Sequence, residues 1–132
     1  DTETGIQSII AIHSTQLGPA IGGCRCYVYD STTQAIKDVL RLSYMMTLKA
    51  AMSDLPHGGA KSVIIKPKHH FDRERYFKKF GDFVNKMNGN YIVACDVGTT
   101  TNDMKTISGR TPHVIGVTAE NRHDSDPAPH TA

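Results

Sequence analysis

The sequence predicts an α/β domain, a three-layer α/β/α arrangement around a mostly parallel sheet. Two observations carry that expectation. Short apolar or β-branched runs alternate along the chain with longer runs of helical periodicity, the pattern of strands joined by helical crossovers. Turn and cap residues punctuate the two kinds of run, and a largely parallel sheet of this kind is covered on both faces.

Each element has its own local reason. Residues 5–13, Gly5 to His13, form a β-branched run and read as a strand. Leu17 to Gly23 reads as a loop, with Gly18-Pro19 and Gly22-Gly23 as its turn signals. Cys24 to Tyr29 alternates and reads as a second strand, and Asp30-Ser31 supplies the turn and the helix cap. From Thr32 to about Ser53, the spacing of Ala35, Ile36, Val39, Leu40, Leu42, Met46 and Ala50 is helical. Leu55-Pro56 stops that helix, and Gly58-Gly59 reads as a turn into the strand Ser62–Lys66, which Pro67 ends. A second helix has Asp72 near its start and Tyr76, Phe77, Phe80, Phe83, Val84 and Met87 as its apolar stripe, with Gly89 closing it. Tyr91–Cys95 is a short buried strand. Thr100 and Asp103 form a capping box for a helix to about Ser108, and His113–Val117 is a last strand. Beyond Thr118 the chain is polar and proline-bearing.

Bulk properties narrow the function. At 132 residues the chain suffices for one domain with a real core and is too short for two ordinary ones. With 15 basic against 13 acidic residues, nothing points to a nucleic acid or another polyanion. Lys66 to His70, with Arg73 and Arg75, reads as a solvated loop and helix face. No apolar run approaches the roughly 20 residues that span a bilayer, and no signal or transit segment is visible at Asp1. The missing initiator Met suggests a truncated start. Three cysteines, Cys24, Cys26 and Cys95, lack zinc-like spacing; Cys24 and Cys26 are expected on opposite faces of their strand. Free thiols in a reducing cytoplasm are the expectation. The histidines, His69 and His70 included, show no metal-ligand pattern.

The chemistry concentrates at residues 45–65. Lys49 lies within an apolar helical run beside Met45, Met46 and Met52, and Lys61 follows Gly58, Gly59 and Ala60 at the mouth of an apolar strand. Lysine normally lives on solvated faces. Burial destabilises a charged amine and a second ammonium nearby destabilises it further, so the pattern points to an anion pocket with a proton-exchanging lysine. Asp96 closes the strand Tyr91–Cys95, at the rim where open α/β sheets collect ligands. Alone it reads as a turn or capping residue; with the lysines it becomes a proton shuttle and charge partner. Gly22-Gly23 is either a tight turn or a place where backbone approaches a ligand closely. Two nucleotide motifs fail. Ala60 and Leu55 stand where a phosphate loop needs glycines, and no GxGxxG occurs.

Four separated runs then carry a resemblance: GPAIGGCRCYVYDS, MTLKAAMSDLPHGGAKSVII, YIVACDVGTT and DPAPHTA. In order and spacing they resemble the amino-terminal domain of Glu/Leu/Phe/Val dehydrogenases, closest to the leucine and phenylalanine branch. The resemblance implies a substrate-binding and dimerisation domain over 1–132, from an enzyme performing NAD-dependent oxidative deamination of an L-amino acid to its 2-oxo acid and ammonia. Carried onto this chain, Lys49 resembles the lysine that binds the substrate carboxylate, helped by backbone near Gly22 and Gly23. Lys61 resembles the catalytic lysine that polarises the 2-oxo group, and Asp96 the carboxylate that exchanges protons at the amino nitrogen. Thr131 matches a substrate-side threonine.

Glutamate-specific relatives carry a lysine where this chain has Ile21, and Ala94 matches a small pocket residue of the leucine branch. Ile21 and Ala94 therefore imply an apolar pocket for a branched aliphatic or aromatic substrate. The chain departs from the leucine branch at Cys95, where Glu is common, and at Ala60. The resemblance further implies a cytoplasmic homo-oligomer. It also implies a Rossmann domain for NAD that these residues lack, so the chain is expected to be a fragment and inactive alone. Two other readings compete: an orphan domain serving only as a binding or oligomerisation module, and a Schiff-base enzyme using Lys61.

Overall fold

The computed structural model describes residues 5–116. Seven elements follow one another: β1 (Ser8–Ile12), β2 (Ala20–Tyr27), α1 (Thr32–Met52), β3 (Gly58–Ile65), α2 (Arg73–Asn85), β4 (Tyr91–Cys95) and α3 (Thr101–Ser108). The strands form one sheet in the order β1-β3-β2-β4. β2 is parallel to both neighbours and β1 pairs antiparallel with β3, so the sheet is mostly parallel as expected. From β2 the chain crosses to β3 on one side, and from β3 it returns past β2 to β4 on the other. Right-handed crossovers in opposite directions place α1 on one face and α2 on the opposite face.

Two cores result. On the α1 face Ala35 and Val39 pack on Val63, joined by Ile9, Ala11, Tyr29 and Ile65. On the other face Tyr76, Phe77, Phe80 and Val84 of α2 and Met104 and Ile107 of α3 pack on Cys24, Cys26, Ile64, Tyr91 and Val93. Each fully buried phenylalanine, such as Phe77 and Phe80, contributes about 1.5–3 kcal/mol. Because both faces are covered, β3 is buried from Gly58 to Ile64 and shows no polar alternation.

The helix starts obey local chemistry. Ser31 accepts from the Gln34 amide at 3.2 Å, and Asp72 accepts from Arg75 at 3.2 Å. Thr100 and Asp103 form the expected reciprocal capping box. α1, β4 and α3 match the sequence reading closely.

Other boundaries differ. β2 begins at Ala20 and β3 at Gly58, so Gly22-Gly23 and Gly58-Gly59 lie inside strands rather than in turns. Lys61 is therefore in mid-strand. The turn before β3 lies earlier, where Asp54 takes a left-handed conformation (φ 55). Of the α2 stripe, Phe83 and Met87 are only partly buried. Ile36 and Leu40 of α1 are exposed instead of facing the sheet. Of the expected last strand, the described residues show only a single parallel bridge from Val114 to Val93, and Val117 lies outside them. Cys24 and Cys26 share one core face, as residues two apart in a strand must, not opposite faces. Among the described residues, no helix is long and apolar enough to cross a membrane.

Candidate functional site

Residues alternate between the two faces of a strand, which assigns Ile21, Gly23 and Arg25 of β2, Lys61 of β3, and Ala94 with the following Asp96 to the α1 side. α1 is centred over β3 and β1, so the β2–β4 part of this face is where a ligand could lie. Gly23 stands directly beside Ala94, and Ile21 pairs with Ile92 on one side and Gly59 on the other.

The centre of the face is an ion pair between the Lys61 ammonium and Asp96 Oδ2. Lys61 is only 7% exposed. β3 and β4 are not neighbours; β2 runs between them, which sets the two strands about 10 Å apart. Asp96 leans over Gly23: a Cβ built there would lie 2.7 Å from Asp96 Cβ and 3.1 Å from its Cγ. The absent side chain at Gly23 is what lets a β3 lysine and a β4 carboxylate meet above β2.

Two devices fix the backbone around that pair. Beneath the sheet, the buried Tyr91 hydroxyl donates to the Gly22 carbonyl at 3.0 Å. It lies 2.7 Å from Ser62 Oγ; with its one proton spent on Gly22, it accepts from the serine. Burial pushes the Tyr91 hydroxyl well above the usual phenol range, so it stays a neutral donor. Beyond β4, the Asp96 amide donates to Thr99 Oγ1 at 2.9 Å, and that hydroxyl reaches the Cys24 carbonyl at 2.9 Å. Arg73 clamps the same loop, donating to the Gly98 carbonyl at 2.7 Å and to both oxygens of Asp103.

A second charged chain runs from the site into α1. Arg25 Nη1 donates to Asp38 Oδ2 at 3.3 Å, Tyr29 donates to the same oxygen at 2.6 Å, and Arg41 donates to Asp38 Oδ1 at 2.9 Å. Burial works against the ionised Asp38, but the hydrogen bonds from Tyr29 and Arg41 and the Arg25 charge hold it below the usual carboxylate range. Tyr29 is raised by burial and by its bond to Asp38. An open depression of about 440 Å³ adjoins this chain, lined by Arg25, Tyr27, Tyr29, Gln34, Asp38 and Val97.

The structure thus brings together Lys61, Asp96, Gly23, Ala94 and Ile21. Gly22 contributes from the next position, its carbonyl held from below. Asp96 stands at the carboxyl rim, but the others lie along a sheet face rather than outside the strand ends. Lys49 corrects an expectation, because it is exposed, not desolvated. His13 and Thr47 share a hydrogen bond at 2.9 Å, so that flank of α1 faces β1, while Asp38 marks the flank facing β2. Lys49 stands about three turns beyond Asp38 on the β2 flank, free in solvent at the helix end. Thr131 lies outside the described residues. Sequence reasoning missed Arg25 and the Tyr91–Ser62 pair; their signal was polar side chains inside otherwise apolar strands.

With that geometry in place, comparison with known proteins is decisive. The family model described as Glu/Leu/Phe/Val dehydrogenase, dimerisation domain, matches residues 1–113. The chain belongs to this family. It is 46% identical over 132 residues to leucine dehydrogenase of Geobacillus stearothermophilus, covering all of this chain and 36% of that protein. It is 44% identical to phenylalanine dehydrogenase of Bacillus thermotolerans, covering 89% of this chain and 31% of the relative. Among solved structures, L-tryptophan dehydrogenase from Nostoc punctiforme superposes with a TM-score of 0.78 at 44% identity, over 83% of this chain and 32% of that one. The chain therefore spans about a third of the length of the relatives it matches.

Proposed function

We propose that this chain is the substrate-binding half of an amino-acid dehydrogenase that oxidatively deaminates an apolar L-amino acid to its 2-oxo acid and ammonia, with NAD as oxidant. The observation that carries the reading is the ion pair of the buried Lys61 with the part-buried Asp96 across Gly23, set beside Ile21 and Ala94. An ammonium held against a developing oxyanion stabilises it electrostatically, which suits Lys61 at the 2-oxo oxygen. A carboxylate in contact with that ammonium can take and return protons at the amino nitrogen, which suits Asp96. Lys49, on the flank of α1 over β2, binds the substrate carboxylate together with backbone at Gly22 and Gly23, and Thr131 completes the substrate side. Ile21 and Ala94 offer a charged side chain no partner, at a cost of several kcal/mol, so leucine, valine and phenylalanine fit and glutamate does not.

The described residues do not fit the cofactor, since no strand here opens a GxGxxG turn onto a helix. In this reading NAD is held by polypeptide outside these 132 residues, and the chain alone turns nothing over. Cys24, Cys26 and Cys95 form no disulfide among the described residues, which suits a cytoplasmic protein.

A second observation favours self-association in the same protein. Ile36, Leu40, Tyr44, Leu48 and Met52 recur every four residues on α1 and are 41–86% exposed. Tyr44 of this stripe packs edge-on against His13, which directly follows β1, one of the two edge strands of the sheet. A second copy covering this stripe makes the protein a homo-oligomer, readable by light scattering on the 132-residue chain; a strictly monomeric chain would contradict that role.

The main test is the complete gene product assayed with NAD against leucine, valine, phenylalanine and glutamate. Activity on the apolar substrates is expected, and Lys61→Ala should lower turnover by roughly two to four orders of magnitude. A preference for glutamate would overturn the pocket assignment, and normal turnover in Lys61→Ala would overturn the mechanism.

A further inference from the structure

Arg25 lies on the same face of β2 as Gly23, two residues further along. Its Nε is 3.9 Å from Asp96 Oδ2. Both atoms are buried, and neither makes a directed hydrogen bond in the described residues. The other end of the guanidinium is anchored on Asp38, which Tyr29 and Arg41 hold in turn. A buried N–H left without an acceptor is unfavourable, and a shift of about 1 Å would bring this one into hydrogen-bonding range. Asp96 therefore has two cationic neighbours. Lys61 from β3 is engaged with it now, and Arg25 from β2 is aimed at it without being bonded.

The difference between the two cations matters if Lys61 has a second task. In the function proposed above, on which this step rests, the Lys61 ammonium turns to the substrate's 2-oxo oxygen. That would leave Asp96 as a poorly solvated carboxylate with its principal partner gone, a costly state unless another donor takes over. Lysine is a flexible point charge suited to such a move, whereas the rigid, planar Arg25 guanidinium is tethered at one end to Asp38 Oδ2 and needs only a small adjustment. We propose that Arg25 is a positioning residue for Asp96. When Lys61 engages substrate, Arg25 Nε becomes the hydrogen-bond donor to Asp96 Oδ2 and keeps the carboxylate in its working place. No bond to carbon is made or broken in this step; one donor replaces another on a single oxygen.

A double-mutant cycle tests the handover without relying on catalysis. Arg25→Gln, Asp96→Asn and the double variant are made in the 132-residue chain, once with Lys61 and once with Lys61→Met, and unfolded in urea. The coupling between Arg25 and Asp96, read as a ratio of folding equilibria, should rise roughly five-fold or more when Lys61 is replaced. Should Arg25→Gln not fold, Arg25→Lys keeps a charge for Asp38 and should still lose the coupling to Asp96. If Arg25 merely anchors α1 on Asp38, the coupling between Arg25 and Asp96 will be absent in both backgrounds, and that result overturns the proposal. In the complete enzyme, Arg25→Lys should lower kcat about ten-fold with KM within two-fold, a split that general loosening of the fold would not give. An inactive parent enzyme with the coupling intact would sink the proposed function and leave the Arg25–Asp96 assignment standing. An active enzyme without the coupling would sink the assignment alone.

Discussion

Replacing Gly23 by alanine separates the candidate site from the fold that carries it. The added Cβ would sit 2.7 Å from Asp96 Cβ and 3.1 Å from its carboxylate carbon, roughly 1 Å short of ordinary carbon contact. The atoms in the way belong to a side chain at the sheet rim, so Asp96 can retreat while β2 stays in register. The same substitution at Gly22 meets the Ala60 carbonyl and the Lys61 amide in the neighbouring strand, where backbone cannot give way without breaking the β2–β3 ladder.

Gly23→Ala should therefore cost about 1–3 kcal/mol of stability, the usual range for overpacking, and Gly22→Ala clearly more. Under the proposed function, a displacement of Asp96 by about 1 Å in the complete protein should cost on the order of a hundred-fold in kcat/KM, equivalent to about 2.7 kcal/mol of barrier. Urea unfolding followed by far-ultraviolet circular dichroism gives the first quantity, and initial rates of deamination give the second. A Gly23→Ala enzyme with parental kcat/KM would refute the claim that the bare Cα makes room for the pair. So would a Gly23→Ala chain less stable than Gly22→Ala.

Other expectations follow from the same geometry. Tyr91→Phe strands the Gly22 carbonyl and the Ser62 hydroxyl in the buried interior, and should lower unfolding free energy by about 1–3 kcal/mol in urea titration; an unchanged midpoint would show that the network does no structural duty. Asp38 is held below its ordinary carboxylate value in the folded chain. Its stabilisation is thus complete above the unfolded value near pH 3.9 and lost as pH falls through the folded one. Urea midpoints of the parent should drop across that acid window more than those of Asp38→Asn, and identical drops would remove Asp38 from the account. Lys49→Ala, at an exposed helix position, should alter stability by no more than about 0.5 kcal/mol while raising KM for the amino acid; an unchanged KM would end the carboxylate assignment.

What the sequence revealed and what it concealed divide by the range of the interactions. α1 is legible because its spacing and its Ser31 cap are local, and α3 because Thr100 and Asp103 answer each other within one turn. Gly22-Gly23 and Gly58-Gly59 misled because a glycine pair advertises freedom to turn, whereas here the missing side chains make space. The neighbours needing that space, Asp96 and the backbone of Thr47, come from distant parts of the chain. The two lysines show the same limit. Both stand among apolar residues in sequence, yet one is buried by its mid-strand position in a doubly covered sheet, and the other is left in water by its place on the last turn of a helix.

Strand order ties these points together. Lys61 belongs to β3, and Asp96 follows β4, and the two strands are never adjacent. A sheet with a side chain between them would keep the charges apart, each seeking its own local partner. Glycine at position 23, at the level of Ala94 in the register, removes that wall from one point of β2 alone, and the pair forms there. Arg25, next on the same face of β2, then has Asp96 at 3.9 Å rather than in full contact, while Lys61 holds the same oxygen. The pairing of a lysine with a carboxylate and the placing of a second cation behind it are thus both consequences of β2 lying in the middle. Moving the glycine one position along β2 would turn the gap to the other face of the sheet, into the Tyr91–Ser62 core, and leave Lys61 and Asp96 separated. The site is therefore a property of strand order and register before it is a property of any one residue.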